Sequence, residues 1–260
     1  MLDGCPVLFA EFPLIHEVIC VREQMATDAN SLILSTGELL VTGRLVDASN
    51  ATLYASATVD EQSITCIYKP IAGERPLWDF SDGCLAHREY ASYLLSHHLG
   101  FDLVPLTILR DGPYGVGMVQ QWIDIDESID LSTFFSTDHP QLRSMALFDA
   151  IVNNTDRKIG HLLPVNNKTV FGCDHGVTFH PEDKLRTVLW QWANEPFSDP
   201  EIFLLQKAQT ELAGELGILL APLLTQIEIE QTAHRVSRLL AEGTFPLPNP
   251  DWPAVPWPAF

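Results

Sequence analysis

The period of the apolar residues changes part-way along the chain, and that change restricts the fold more than any single motif does. From Glu38 to Lys69 the runs LLVTGRLVD, ATLYASATV and SITCIYKP are rich in β-branched and aromatic residues, with polar turns between them. Such runs read as strands, so an antiparallel three-stranded meander is expected. A loop dense in Gly, Pro and Asp follows, GERPLWDFSDG. The segment LAHREYASYLLSHHLG then places Leu85, Tyr90, Tyr93, Leu94 and Leu99 at helical spacing and stops at Gly100. VPLTILRDGPYGVGMVQQWID reads as two more strands around a glycine-rich turn. From Gln141 the texture is helical. LRSMALFDAIVNN forms one helix, TDRKIGHLLP a loop, and TVFGCDHG a short strand and turn. Two amphipathic patterns between Glu201 and Glu242 break near Ala221-Pro222. The last fifteen residues hold six of the chain's 18 prolines, which excludes helix or central strand there. The pattern specifies an α+β chain: an extension over residues 1–34, a sheet-rich N-lobe with one helix and a connecting strand over 35–123, and a helical C-lobe over 124–260. A Pro/Trp-rich tail begins at about residue 245.

Charge narrows the function. Among 260 residues, 34 acidic side chains face 15 basic ones, a formal charge of -19. A body this acidic repels phosphate backbones and anionic leaflets, so neither nucleic acid nor a membrane surface is an expected partner. The N-terminus lacks a basic signal-peptide region, and no apolar stretch reaches the ~18 residues of a spanning helix. Five cysteines without a C-x-x-C pair fit buried thiols in a reducing compartment, so the expected location is cytoplasmic.

The chemistry lies in order and spacing. Lys69 ends a strand, Glu89 sits in the first helix after it, and Asp156 stands in a helix-to-loop turn. His161 comes five positions after Asp156, and Asp174 precedes His175-Gly176. Alone, the lysine and glutamate read as surface charges and the aspartates as turn residues. Together they form the set that phosphoryl transfer from ATP requires. A lysine neutralises phosphates, a glutamate holds the lysine, one carboxylate handles the acceptor's proton, and a second carboxylate with one further ligand holds metal. A metal-dependent hydrolase on His161, Asp174, His175 and His180 is the competing reading, but no H-E-x-x-H pattern orders those residues and it leaves Lys69 and Glu89 without a role.

These segments resemble the phosphatidylinositol 3- and 4-kinase branch of the protein-kinase-like fold, and more closely a bacterial, mostly actinobacterial family related to it. The resemblance is carried by YKPIAGERPLWDFSDG, REYASYLLS, LVPLTILRDGPYGVGMVQ, VNNTDRKIGHLL, CDHGVTFHPEDKLRTVLWQWA and the terminal PWPAF, and runs from about residue 35 to the end. It implies a two-lobed kinase-like fold, ATP with Mg²⁺ or Mn²⁺ as cofactors, and catalytic roles for Asp156, Lys69 and Glu89. His161 and Asp174 become the metal ligands, with His161 where the family pattern has Asn. Ser49 and Asn50 stand in the phosphate-covering turn. Met118 lines the adenine pocket, and Gln120, Gln121 and Trp122 open the hinge. Arg157, Lys158, Lys184 and Arg186 are expected to face an anionic substrate group, the alternative being ordinary surface charge. The acidic body favours a protein or small soluble acceptor over a lipid. A nucleotide-binding pseudokinase and a nucleotidyl transferase are the alternatives. The tail is expected to fold back, with Trp252, Trp257 and Phe260 covering its own domain, rather than to dock a protein partner.

Overall fold

The computed structural model describes residues 29–45, 50–80 and 83–260. Residues 29–36 form a helix that leads into β1 (Glu38–Arg44), followed by β2 (Leu53–Val59) and β3 (Gln62–Pro70). After α1 (Leu85–Leu99) come β4 (Thr107–Gly112) and β5 (Gly115–Gln121). All five strands pair antiparallel in the order β1-β2-β3-β5-β4, so β5 inserts beside β3. The meander and the later strand pair stand where the sequence puts them.

Alternation along β3 decides what its side chains meet. Cys66 and Tyr68 point into the N-lobe core with Leu39, Ala55, Ala57 and Val119, leaving Lys69 on the opposite face. Ile33 and Leu34 of the leading helix belong to the same core, and Arg110 Nη1 donates to Leu34 O at 2.8 Å and Gly37 O at 2.9 Å. The boundary expected at residue 34 therefore cuts through a helix already packed in the lobe. At the end of α1, Gly100 takes φ 84°, the left-handed cap that glycine adopts without penalty.

The C-lobe contains α2 (Leu131–Phe134), α3 (Pro140–Val152), the short ribbon β6 (Leu162–Pro164) and β7 (Val170–Gly172), then α4 (Asp199–Leu212), α5 (Glu215–Leu220) and α6 (Gln226–Glu242). Strand β6 falls in what the sequence presents as plain loop, because three residues are too few to show a period. The first amphipathic pattern also divides, into α4 and α5, where Gly214 adopts a non-helical backbone (φ -120°, ψ -130°). One continuous core joins α3, the ribbon, α4, α5 and α6, and it reaches α1 through Ala91, Leu95 and Leu99.

The tail folds back, chiefly through its main chain. Ala254 O accepts from Thr187 N at 3.0 Å and from Trp190 Nε1 at 2.9 Å, and Ala259 O accepts from Ile159 N at 2.8 Å. Only part of the aromatic covering forms: Trp252 is half-buried, whereas Trp257 is 92% and Phe260 63% exposed. Among the described residues, no helix is long and apolar enough to cross a membrane. Cys66, Cys84 and Cys173 are free thiols, while Cys5 and Cys20 lie outside the described residues.

Candidate active site

Lys69 leaves β3 on the face opposite the N-lobe core and meets two carboxylates. Its Nζ lies 2.6 Å from Glu89 Oε1 and 2.9 Å from Asp174 Oδ1, the latter 105 positions away in sequence. Glu89 is buried on α1, and its other oxygen, Oε2, accepts from His175 N at 2.9 Å. The glutamate thus ties the lysine strand to the Asp174 loop. Gly176 makes this approach possible: a Cβ there would sit 3.1 Å from Leu85 Cβ and 3.8 Å from Glu89 Oε1, crowding α1 off the loop.

Helix α1 is held at its start from a distance. Its N-cap, Cys84, offers no side-chain bond, and Glu74 supplies it instead. Oε2 accepts from Leu85 N and Oε1 from Ala86 N, both at 2.8 Å. A carboxylate at exposed helix N–H groups is favourable by hydrogen bonding and by the helix dipole. The same loop receives the segment leading into β2, since Asn50 Oδ1 accepts from Arg75 N at 2.9 Å and Ala51 N donates to Gly73 O at 3.2 Å. Asn50 therefore anchors that segment with its side-chain oxygen. Ser49 lies outside the described residues.

The Asp156 turn rests on a buried frame. Asp149, in the last turns of α3, accepts from Arg157 Nε and Nη2, each at 2.9 Å, and from Asn154 Nδ2 at 3.0 Å. Asn154 Oδ1 in turn accepts from Asp156 N at 3.0 Å. Arg157 is completely buried, and Nη2 also lies 2.6 Å from His175 Nε2. This corrects the expectation for Arg157, which has no surface for a substrate and braces the turn that carries Asp156. Asp156 itself stays partly accessible, 3.2 Å from Lys158 Nζ and 3.4 Å from Arg186 Nη2. Lys184 also lies inside, between the indoles of Trp78 and Trp252 at 5.5 Å and 5.1 Å, with Glu182 Oε2 at 3.3 Å.

His161 Nε2 stands 3.4 Å from Asp174 Oδ2. Burial pulls its pKa down to about 4, against the pull of Asp174, so the imidazole is neutral at pH 7. Asp174 sits in a left-handed backbone (φ 60°), a conformation that aspartate and asparagine hold more readily than other non-glycine residues. The Lys69 ammonium holds its carboxyl well below the usual range, and it is ionised. Burial disfavours the Lys69 charge, but Asp174 and Glu89 more than offset that, and its pKa is raised. Burial raises Asp156, opposed by Lys158 and Arg186. Among the described residues, no group of three or more His, Cys, Asp or Glu converges as a metal cluster. His175 is buried against Arg157, apart from such a role.

A cavity of about 380 Å³ opens beside these groups, lined by Lys69, Glu89, Asp156 and Asp174. None of Met118, Gln120, Gln121 or Trp122 lines it. Met118 is wholly buried opposite Lys69, and Gln120 Nε2 donates to Thr107 Oγ1 at 2.9 Å. Gln121 closes the β3–β5 register against Cys66. Trp122 N donates to Thr65 O, and its ring packs edge-on against Tyr54. Glu74 and Asp149 are the residues that sequence reasoning passed over. A lone acid within the apolar run ALFDAIV is the trace that Asp149 leaves.

No protein-family model matches the chain. Protein Rv2133c of Mycobacterium tuberculosis (strain ATCC 25618 / H37Rv) is 40% identical over 268 residues, covering 90% of this chain and 96% of its own length. Among solved structures, the Golgi casein kinase superposes with a TM-score of 0.54 at 13% identity, over 84% of this chain and 74% of the other. The Helicobacter pylori proinflammatory kinase CtkA gives 0.43 at 10% identity, over 82% and 94%. The first superposition establishes a kinase-like fold for the chain.

Proposed function

The chain belongs to the family of Mycobacterium tuberculosis protein Rv2133c, and from that premise and its kinase-like fold we propose that it is an ATP- and divalent-metal-dependent phosphotransferase. One observation carries the reading: Lys69 is held between Glu89 and Asp174, with Asp156 in the same cavity. In the proposed reaction Lys69 binds the α/β-phosphates and Glu89 keeps it extended. Asp156 orients the acceptor hydroxyl and takes its proton. The acceptor oxygen bonds to the γ-phosphorus, and the bond to the bridging oxygen breaks, its electron pair leaving on ADP.

The Asp174 and His161 side chains present one ionised oxygen and one neutral nitrogen toward the same point, a donor set that fits a divalent cation tolerant of nitrogen. When bound, that cation neutralises the transferring phosphates. Lys158 N lies 3.4 Å from His161 Nδ1, an arrangement that puts the imidazole proton on Nε2. Holding a cation at Nε2 requires the other tautomer. The site then prefers Mn²⁺ to Mg²⁺, which demands oxygen. Equal response to the two metals in both wild type and His161→Asn would remove the preference.

The sequence resemblance to phosphatidylinositol 3- and 4-kinases is part of the proposal, with a protein or small soluble acceptor in place of a lipid because the chain carries -19 charges. The second reading is a nucleotide-binding module without transferase activity. The absent glycine run in the phosphate-covering turn and the histidine at 161 favour it. Nucleotidyl transfer is separated from kinase activity by the mass added to the acceptor, AMP against phosphate. The first test is a thermal-shift titration with ATP and Mn²⁺ or Mg²⁺ beside Asp174→Ala. A ligand that binds only the folded state raises the melting temperature. A metal-dependent rise in wild type, lost in the variant, is expected; no rise with any nucleotide and metal discards the proposal.

A further inference from the structure

The cavity beside Asp156 has three walls far apart in sequence: the β3–α1 loop with Arg75 and Trp78, the segment ending at Arg186, and the C-terminal tail with Trp252. On the phosphotransferase reading, on which this inference rests, Lys69 and Asp174 face the nucleotide. The remaining space next to Asp156 belongs to the acceptor.

Arg75 lines this space with a guanidinium that makes no hydrogen bond or ion pair to any described residue, while its main chain is fixed on Asn50. Arg75 is exposed to solvent at the mouth of the cavity, so its guanidinium is free to meet an incoming anion. Arg186 faces it from the other side. Its Nε donates to Thr155 O at 2.6 Å, and Nη2 lies 3.4 Å from Asp156. Guanidinium groups recognise phosphate and carboxylate through paired N–H donors.

Trp252 is held there by other residues. Lys184 and Arg186 both stack on its ring, at 5.1 Å and 5.9 Å, and Lys184 spans from it to Trp78. Two residues later the tail main chain is pinned to Thr187 and Trp190, and near its end to Ile159 in the catalytic loop. The Trp252 Nε1 is buried and has no acceptor, so hydrogen bonding does not explain its placement. The whole cavity measures about 380 Å³, near the low end of the roughly 300–1,000 Å³ of small-molecule sites, and the nucleotide phosphates at Lys69 and Asp174 share it, so the part left beside Asp156 suits a small acceptor.

We propose that the part of this cavity next to Asp156 is the acceptor site, that the C-terminal tail forms one of its walls, and that it takes a small hydroxylated anion. The phosphate or carboxylate of that acceptor lies on Arg75 and Arg186, its carbon body lies against the indoles of Trp252 and Trp78, and its hydroxyl reaches Asp156.

Calorimetric titration of the full chain with a non-hydrolysable ATP analogue and Mn²⁺ present tests this. The probes are glycerol 3-phosphate, ribose 5-phosphate and gluconate, each beside its neutral parent, glycerol, ribose or glucose. At least one anion binds and its neutral parent does not, with phosphate or carboxylate identified by which probe succeeds. Arg75→Gln and Trp252→Ala each weaken that binding by about tenfold or more, the loss of one charged or stacked contact. Trp252→Phe keeps the ring in case the alanine loosens the tail, and gives an intermediate loss. The melting rise with ATP and Mn²⁺ is followed in every protein. Unchanged anion binding in Arg75→Gln and Trp252→Phe, or no binding by any probe, with the ATP response intact, overturns the acceptor site alone. A wild type without an ATP response overturns the phosphotransferase reading and this inference with it.

Discussion

His161 shows how one side chain couples the site to the stability of the chain. Burial lowers its pKa from 6.5 to about 4, so between these values the unfolded state binds a proton that the folded state does not. Stability rises with pH wherever the unfolded state holds more protons. The contribution is therefore complete above pH 6.5 and lost as pH falls toward 4. At 1.36 kcal/mol per pKa unit the effect is on the order of 3 kcal/mol. His175, whose pKa burial likewise lowers, adds in the same direction. Urea unfolding at pH 7.5 and 4.5 measures the loss, and His161→Asn is expected to reduce it. An unchanged pH slope in that variant means the imidazole is not protected. Asp149 acts through Arg157: both are wholly buried, and removing one partner strands a buried charge. Asp149→Ala is expected to cost about 3–5 kcal/mol in denaturant unfolding. A loss below about 1 kcal/mol would show that water replaces the carboxylate and that the frame is not rigid.

Helix α1 is the element on which the site turns, because it carries Glu89 and begins on Glu74. Removing that cap is expected to destabilise the protein by about 0.5–2 kcal/mol. Glu74→Ala should also lower the ATP-induced melting rise, since a frayed first turn loosens the hold of Glu89 on Lys69. Glu74→Gln, which keeps one accepting oxygen, should recover part of both. If Glu74→Ala loses stability without any change in the nucleotide response, the cap serves the fold alone. The β3–α1 loop thus has two functions in one segment: it caps the helix with Glu74 and fixes Asn50, just before β2, through the Arg75 amide.

Charge acts at the level of the whole molecule. With 34 acids against 15 bases, the chain is repelled by anionic surfaces within the ~10 Å over which 0.1 M salt leaves fields unscreened. In flotation with vesicles containing phosphatidylserine at that ionic strength, the protein is expected to remain in the unbound fraction. Co-flotation, reduced by salt, would return a membrane lipid to the list of acceptors. The tail belongs to the same scale. It joins the segment after Arg186 to the loop at Ile159, so residues 254–259 close over residues from the middle of the chain.

Local pattern alone set out most of the elements. The strands from β1 to β5, α1 with its glycine stop, α3 and the proline tail follow from periods, caps and ring constraints that act within a few residues. The order Lys69, Glu89, Asp156, His161, Asp174 was legible because the pattern places these residues on a strand end, the first helix after the sheet, and the loops and turns that follow α3 and β7. Three features needed the tertiary structure. The burial of Arg157 and Lys184 shows only once α3, the Asp174 loop and the indoles surround them, since a charged residue carries no local sign of its partner. The Glu74 cap bridges a loop whose path no period predicts. The meeting of Lys69 with Asp174 spans 105 positions, and packing α1 against the Gly176 turn is what closes that distance.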